Sequence, residues 1–93
     1  MILHWSSKFR RSLKNILRQT PQKKEKYYSI LALLQQDPFM RQLHTHKLKG
    51  ELKECWACYV EYDVRIIFTI ITNQATSLQE IILLDIGSHD EVY

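Results

Sequence analysis

The chain has 93 residues, 45% of them hydrophobic, with two glycines, two prolines, two cysteines and a formal net charge of +3. That composition fits one small folded domain over residues 1–93; it is too apolar for a disordered segment and too poor in cysteine for a disulfide scaffold. No apolar run approaches the roughly 18 residues of a bilayer-spanning helix, and no secretory signal opens the chain, so the expectation is a cytoplasmic protein with no membrane partner.

Ile2-Leu3-His4-Trp5 reads as a short first strand. Ser6 or Ser7 then caps a helix through Arg18, in which Phe9, Leu13, Ile16 and Leu17 recur at helical spacing. Thr20-Pro21 starts a second helix, with Thr20 as its cap and Pro21 in the first turn, where the missing N–H costs nothing. Tyr27, Ile30, Leu31, Leu33 and Leu34 make its apolar stripe, and Asp37-Pro38 ends it. The period then changes. Residues 55–61, 64–72 and 77–86 are β-branched and aromatic runs of strand length, separated by breaks at Tyr62-Asp63 and residues 73–76. In the middle run Ile66, Phe68 and Ile70 share the face assigned to the helices, and Arg65 falls on the open face. Strand, helical hairpin and three-strand antiparallel meander make an α+β fold built on one sheet.

Charge is unevenly placed. Lys8, Arg10, Arg11, Lys14, Arg18, Lys23, Lys24 and Lys26 crowd the helical region against the single acid Glu25, whereas from Glu54 onward Arg65 is the only lysine or arginine. Clustered cations on a small domain suit a polyanion or an acidic protein partner; a solvated basic helix face is the plain alternative.

Three stretches have side chains suited to chemistry. The ending Gly87-Ser88-His89-Asp90-Glu91-Val92-Tyr93 places an imidazole and a phenol where packing gives no reason for them. Imidazoles titrate near about 6.5 and suit proton transfer, although a frayed polar terminus is the ordinary alternative. His46-Lys47-Leu48-Lys49-Gly50, followed by Lys53, gathers an imidazole and ammonium groups before the sheet, in what is otherwise a solvated loop. Cys55-Trp56-Ala57-Cys58, with His44 and His46 upstream, invites a zinc or redox reading. A strand places residues three apart on opposite faces, and redox pairs of this spacing open helices, so two structural cysteines are expected instead.

His46-Lys47-Leu48-Lys49-Gly50, Val60-Glu61-Tyr62-Asp63-Val64-Arg65-Ile66-Ile67-Phe68 and Ile86-Gly87-Ser88-His89-Asp90-Glu91-Val92-Tyr93 resemble successive motifs of RelE/YafQ toxins of bacterial toxin–antitoxin systems. The resemblance spans essentially the whole chain and implies the RelE-like fold. It also implies a small mRNA endoribonuclease acting on message in the ribosome, without a metal or other cofactor. The partners it implies are a cognate antitoxin protein, mRNA and the ribosome, with operator DNA reached only through the antitoxin complex. Carried over by residue, His46, Asp63, His89 and Tyr93 match YafQ-type site positions, and Arg65 matches a RelE-type arginine. The chain departs from YafQ at Tyr59, where a histidine is expected, and from RelE in having the His89 region in place of a C-terminal arginine.

RNA cleavage without a metal needs a base for the 2′-hydroxyl, an acid for the 5′-oxygen and a cation for the phosphorane. His46 and His89 can divide the first two tasks, in an order left open here. Arg65, with Lys47, Lys49 and Lys53, can hold phosphate, and Tyr59 and Tyr93 can contact a base or phosphate. Asp63 suits orienting a histidine or Arg65 better than acting as the base. A gyrase inhibitor of the same fold, resembling the ParE group, and an inactive antitoxin-binding co-repressor module are the competing readings. The histidine and tyrosine ending speaks against the first, and Tyr59 keeps the second open.

Overall fold

The computed structural model describes residues 1–92, without the side chains of Asp90 and Glu91. Strand β1 (Ile2–Trp5) leads directly into helix α1 (Ser7–Gln19). Ser6 caps that helix: its hydroxyl accepts the Phe9 N–H at 3.0 Å and donates to the Leu84 carbonyl at 3.1 Å, so one side chain both starts the helix and ties it to the sheet. Phe9 and Leu13 are buried on the inner face, and Ile16 and Leu17 lie beside them.

Thr20 departs from its expected role. Its hydroxyl donates to the Ile16 carbonyl at 2.8 Å, the same carbonyl that accepts the Thr20 N–H at 2.9 Å, and caps no second helix. Pro21–Lys23 forms a 3₁₀ turn before helix α2 (Lys24–Gln36), which buries Tyr27, Leu31 and Leu34 and stops before Asp37.

The sheet has the order β1-β5-β4-β3-β2, where β2 is His46–Lys47, β3 Trp56–Glu61, β4 Val64–Thr72 and β5 Gln79–Gly87. The β3-β4-β5 meander is antiparallel as expected, and β1 joins β5 in parallel, with Leu3 opposite Ile81. Phe9, Tyr27 and Leu34 of the helices meet Cys58, Val60, Ile66, Phe68, Ile81 and Leu83 of the sheet in one core, each large apolar side chain contributing on the order of 1.5–3 kcal/mol by leaving water. Three details of the sheet differ from the expectation. The strand expected from Cys55 begins at Trp56, after a turn. His46–Lys47, read as loop, is an edge strand because it pairs with Ala57 and Trp56. The strand expected from residue 77 begins at Gln79, because Ser77 has φ 62 and the Asn73 side chain accepts the Ala75 and Thr76 N–H groups, extending the turn.

A register shift between Tyr59 and Glu61 bulges the end of β3. Glu61 reaches the helical hairpin there, with its carboxylate accepting from Lys23 Nζ at 3.0 Å and Tyr27 Oη at 2.9 Å. Burial works to raise the Glu61 pKa, but these donors and the Lys23 and Lys26 charges outweigh it and hold the carboxyl below its ordinary range. At the far edge Glu80 is held low as well, by His4 Nε2 at 2.7 Å and then by Asn73 Nδ2 at 3.0 Å. The expected polar tail contains a helical turn, α3 (His89–Val92), with the Val92 N–H donating to the Ser88 carbonyl at 3.1 Å. Among the described residues no helix is long and apolar enough to cross a membrane.

Candidate functional site

The face of the sheet turned away from the helices carries a row of side chains set by strand register. Tyr59 on β3 lies opposite Arg65 on β4, and Arg65 lies opposite Gly87 on β5, after which the backbone leaves the sheet into Ser88 and His89. The Arg65 guanidinium stacks on the Tyr59 ring at 4.9 Å. Its Nη1 donates to the carbonyls of Glu61 at 2.8 Å, Val64 at 3.0 Å and Tyr62 at 3.2 Å, so the arginine is clamped on the β3–β4 turn with its charge fixed in place.

On the other side of Tyr59 stands His44, its ring edge-on to the phenol at 5.8 Å between centroids. The His44 carbonyl lies 3.2 Å from Nδ1 of His46 on β2. His46 shares the open face with Ala57, its partner in β3, so one band of side chains runs from His46 past Tyr59 to Arg65 and the start of α3. The sequence marks His44 only as a possible companion of the cysteines. Its place beside Tyr59 comes from the turn after the 3₁₀ segment Arg41–Leu43, which no local motif announces.

The other expected residues divide. Lys49, with Leu48, Glu51 and Leu52, faces Val92 of α3 across a cleft of about 470 Å³. Gly50 takes φ +72 there, a left-handed turn that favours glycine, with no atom crowding a would-be Cβ. Lys53 is exposed in the same loop. Lys47 does not join them: strand alternation turns it to the opposite face, over the Trp56 ring at 5.6 Å. Asp63 is exposed at the hairpin turn and forms no ion pair with Arg65, whose orienting partners are backbone carbonyls instead. His89 is exposed at the first position of α3, and Tyr93 lies outside the described residues.

Cys58 is fully buried in the core, and burial pushes its thiol up to about 12, so it is held protonated. Cys55 precedes β3 in a turn, where its N–H donates to the Leu52 carbonyl at 2.8 Å; burial raises its pKa too. Neither thiol has the thiolate character of a redox pair. Among the described residues no three His, Cys, Asp or Glu side chains are arranged to hold a metal ion.

A second surface lies on the helical hairpin. Trp5, Leu13, Leu17 and Tyr28 floor a groove of about 480 Å³, rimmed by Arg10, Lys14, Arg18 and Lys24. Arg10 sits over Trp5 at 5.6 Å and Lys24 over Tyr28 at 5.8 Å.

The family described as the bacterial toxin of type II toxin–antitoxin system, YafQ, matches residues 1–93. The chain belongs to that family. Its fold matches a YoeB/ParE toxin from Agrobacterium tumefaciens at TM-score 0.78 and 18% identity, covering 96% of this chain and 99% of that one. It matches YafQ from E. coli strain BL21(DE3) at TM-score 0.78 and 16% identity, covering 98% and 96%, and YafQ is also seen in an E. coli DinJ–YafQ complex. A copper-bound mutant toxin from Helicobacter pylori aligns at TM-score 0.74 and 26% identity over 100% of this chain and 99% of its own. No curated protein matches at the sequence level. As a member of the YafQ family the chain is a type II toxin with the α+β, RelE-like architecture expected from its motifs.

Proposed function

We propose that this toxin is a metal-independent endoribonuclease that cuts mRNA on the ribosome and so blocks translation. The observation that carries the reading is the band from His46 to Arg65 on the open face, ending where the backbone enters His89. It supplies both kinds of group that the reaction needs. One imidazole removes the 2′-hydroxyl proton as the 2′-oxygen attacks phosphorus, and the other gives a proton to the departing 5′-oxygen. The products are a 2′,3′-cyclic phosphate and a free 5′-hydroxyl.

Arg65 stabilises the charge that builds on the phosphorane, and its preorganisation matters. The carbonyls of Glu61, Tyr62 and Val64 hold it in place before substrate arrives, so little reorganisation is needed in the transition state. Lys49 adds positive charge from across the α3 cleft, and Lys53 extends it along the loop. Tyr59, with one ring face under Arg65, offers an aromatic contact for a base. Tyr93 completes the set that the family motif implies.

The partner that silences the toxin is a cognate antitoxin. The E. coli relative is seen with DinJ, and the basic groove on the hairpin suits an acidic segment with apolar anchors. Operator DNA is reached only through that complex. The deciding experiment is primer extension on a reporter message after induction of wild type and His89→Ala, with circular dichroism to verify folding. Discrete cuts within codons, lost in the variant, are expected. A folded His89→Ala protein that cuts message as well as wild type would remove His89 from the site.

A further inference from the structure

We infer that His44 is a positioning residue: its left-handed backbone holds His46 in the Nδ1–H tautomer and leaves Nε2 as the proton acceptor. The inference rests on the nuclease reading above and assigns the base that reading leaves open. A carbonyl oxygen has no proton to give, so the 3.2 Å contact between the His44 carbonyl and His46 Nδ1 places the proton on Nδ1. A neutral imidazole carries one N–H, which makes Nε2 the basic nitrogen.

The local backbone is arranged for this contact. His44 has φ 47 and ψ 39, a left-handed conformation uncommon for a residue with a Cβ. Such a conformation persists where its surroundings hold it. Three contacts do so here. The His44 N–H donates to the Arg41 carbonyl at 3.2 Å, its ring packs against Tyr59, and the hydroxyl of the next residue, Thr45, donates to the carbonyl of buried Pro38. His46 itself is fixed by its pairing with Ala57. The imidazole is therefore held at its backbone and at one ring nitrogen, and only Nε2 is left to exchange a proton.

The consequence is a division of roles. Nε2 of His46 takes the 2′-hydroxyl proton as the O2′–P bond forms, and His89 protonates the 5′-oxygen as the P–O5′ bond breaks. His44 touches neither oxygen; it acts through His46.

Long-range ¹H–¹⁵N correlation spectra of the labelled protein, at a pH where the ring is neutral, report the tautomer directly. Wild type should show protonated Nδ1 and unprotonated Nε2 at His46. His44→Asn, which tolerates the left-handed region, should keep that pattern and cut RNA within about threefold of wild type. His44→Val, β-branched and disfavoured there, should lose the pattern and lower kcat about tenfold or more with little change in KM. Circular dichroism on both variants excludes unfolding. An averaged or Nε2–H tautomer in wild type overturns the inference, as does a folded His44→Val that keeps the wild-type pattern. If the tautomer is as inferred but His46→Ala still cuts message normally, His46 is not the base; the nuclease role given to it fails while the positioning stands.

Discussion

Glu61→Ala should destabilise this protein by about 2–3 kcal/mol, and the structure gives the parts of that figure. The larger part comes from Tyr27, which is 1% exposed and donates its hydroxyl to Glu61 at 2.9 Å. Removing the acceptor leaves a buried donor unpaired, at about 1–3 kcal/mol. Lys23 contributes less, because its side chain is 39% exposed and water screens the pair to about 0.2–1 kcal/mol. Lys26, half exposed at 3.8 Å, adds little. For a chain of this size the loss lowers the melting temperature by roughly 10–20 °C. Thermal and urea unfolding followed by circular dichroism measure it, and a cycle with Tyr27→Phe isolates the phenol: in that background Glu61→Ala should cost about 1–2 kcal/mol less. The acid side gives a second check. A carboxyl whose folded pKa is lowered contributes stability that is present above its unfolded value, near about 4.3, and lost as pH falls through the folded value. Glu61→Gln should therefore flatten the loss of stability below about pH 4. A Glu61→Ala protein within 0.5 kcal/mol of wild type, or a cost unchanged by Tyr27→Phe, would refute the idea that this carboxylate fastens the hairpin to the sheet, taking about 0.5 kcal/mol as the limit for inert surface changes.

Arg65→Ala should slow message cleavage by about 10²-fold or more through lost charge stabilisation, and Arg65→Lys should recover only part, since an ammonium cannot reproduce the clamped fork; single-turnover cleavage rates decide. Cys55→Ser should be nearly silent, whereas Cys58→Ser, which buries a hydroxyl in the core, should cost about 1–3 kcal/mol yet leave toxicity intact in cells. Elemental analysis should find no zinc with the wild-type protein, and stoichiometric zinc lost when Cys55→Ser and Cys58→Ser are combined would reinstate a metal site. Antitoxin association should slow as salt rises, because the hairpin groove is rimmed by cations; a rate independent of salt would contradict electrostatic steering.

Apolar periodicity and turn chemistry make the framework legible. Phe9 with Leu13, and Tyr27 with Leu31 and Leu34, mark their helices, while the alternation of Ile66 and Phe68 against Arg65 marks the faces of β4. The features that stay hidden depend on partners distant in sequence. His46–Lys47 has no strand pattern and becomes one by pairing with Ala57 and Trp56. Thr20 sits where a cap belongs, but its hydroxyl folds back onto the Ile16 carbonyl, which also accepts its N–H. In the candidate site, the placement of Arg65 on the open face is readable from alternation, but its clamp of carbonyls is not, because the turn geometry creates it. Lys47 groups with His46 by proximity in sequence, and the same alternation separates them. His44 escapes notice as a positioning group because its role uses its backbone, which a reading of side-chain types does not weigh.

The parallel pairing of β1 with β5 also governs when the fold can exist. Residues 2–5 are made before residues 80–83 but acquire hydrogen-bonded neighbours only when those emerge, and β4 has a partner on only one side until then. The nascent chain thus carries an unpaired β1 segment, a half-formed sheet and a core without Ile81, Leu83 and Ile86 until β5 is available. Closing so long a loop is a slow, late event compared with forming the helical hairpin, whose contacts are local. Any activity that depends on the open face is therefore withheld until β5 has emerged, and the interval before closure is when exposed strand edges are most open to capture by another chain.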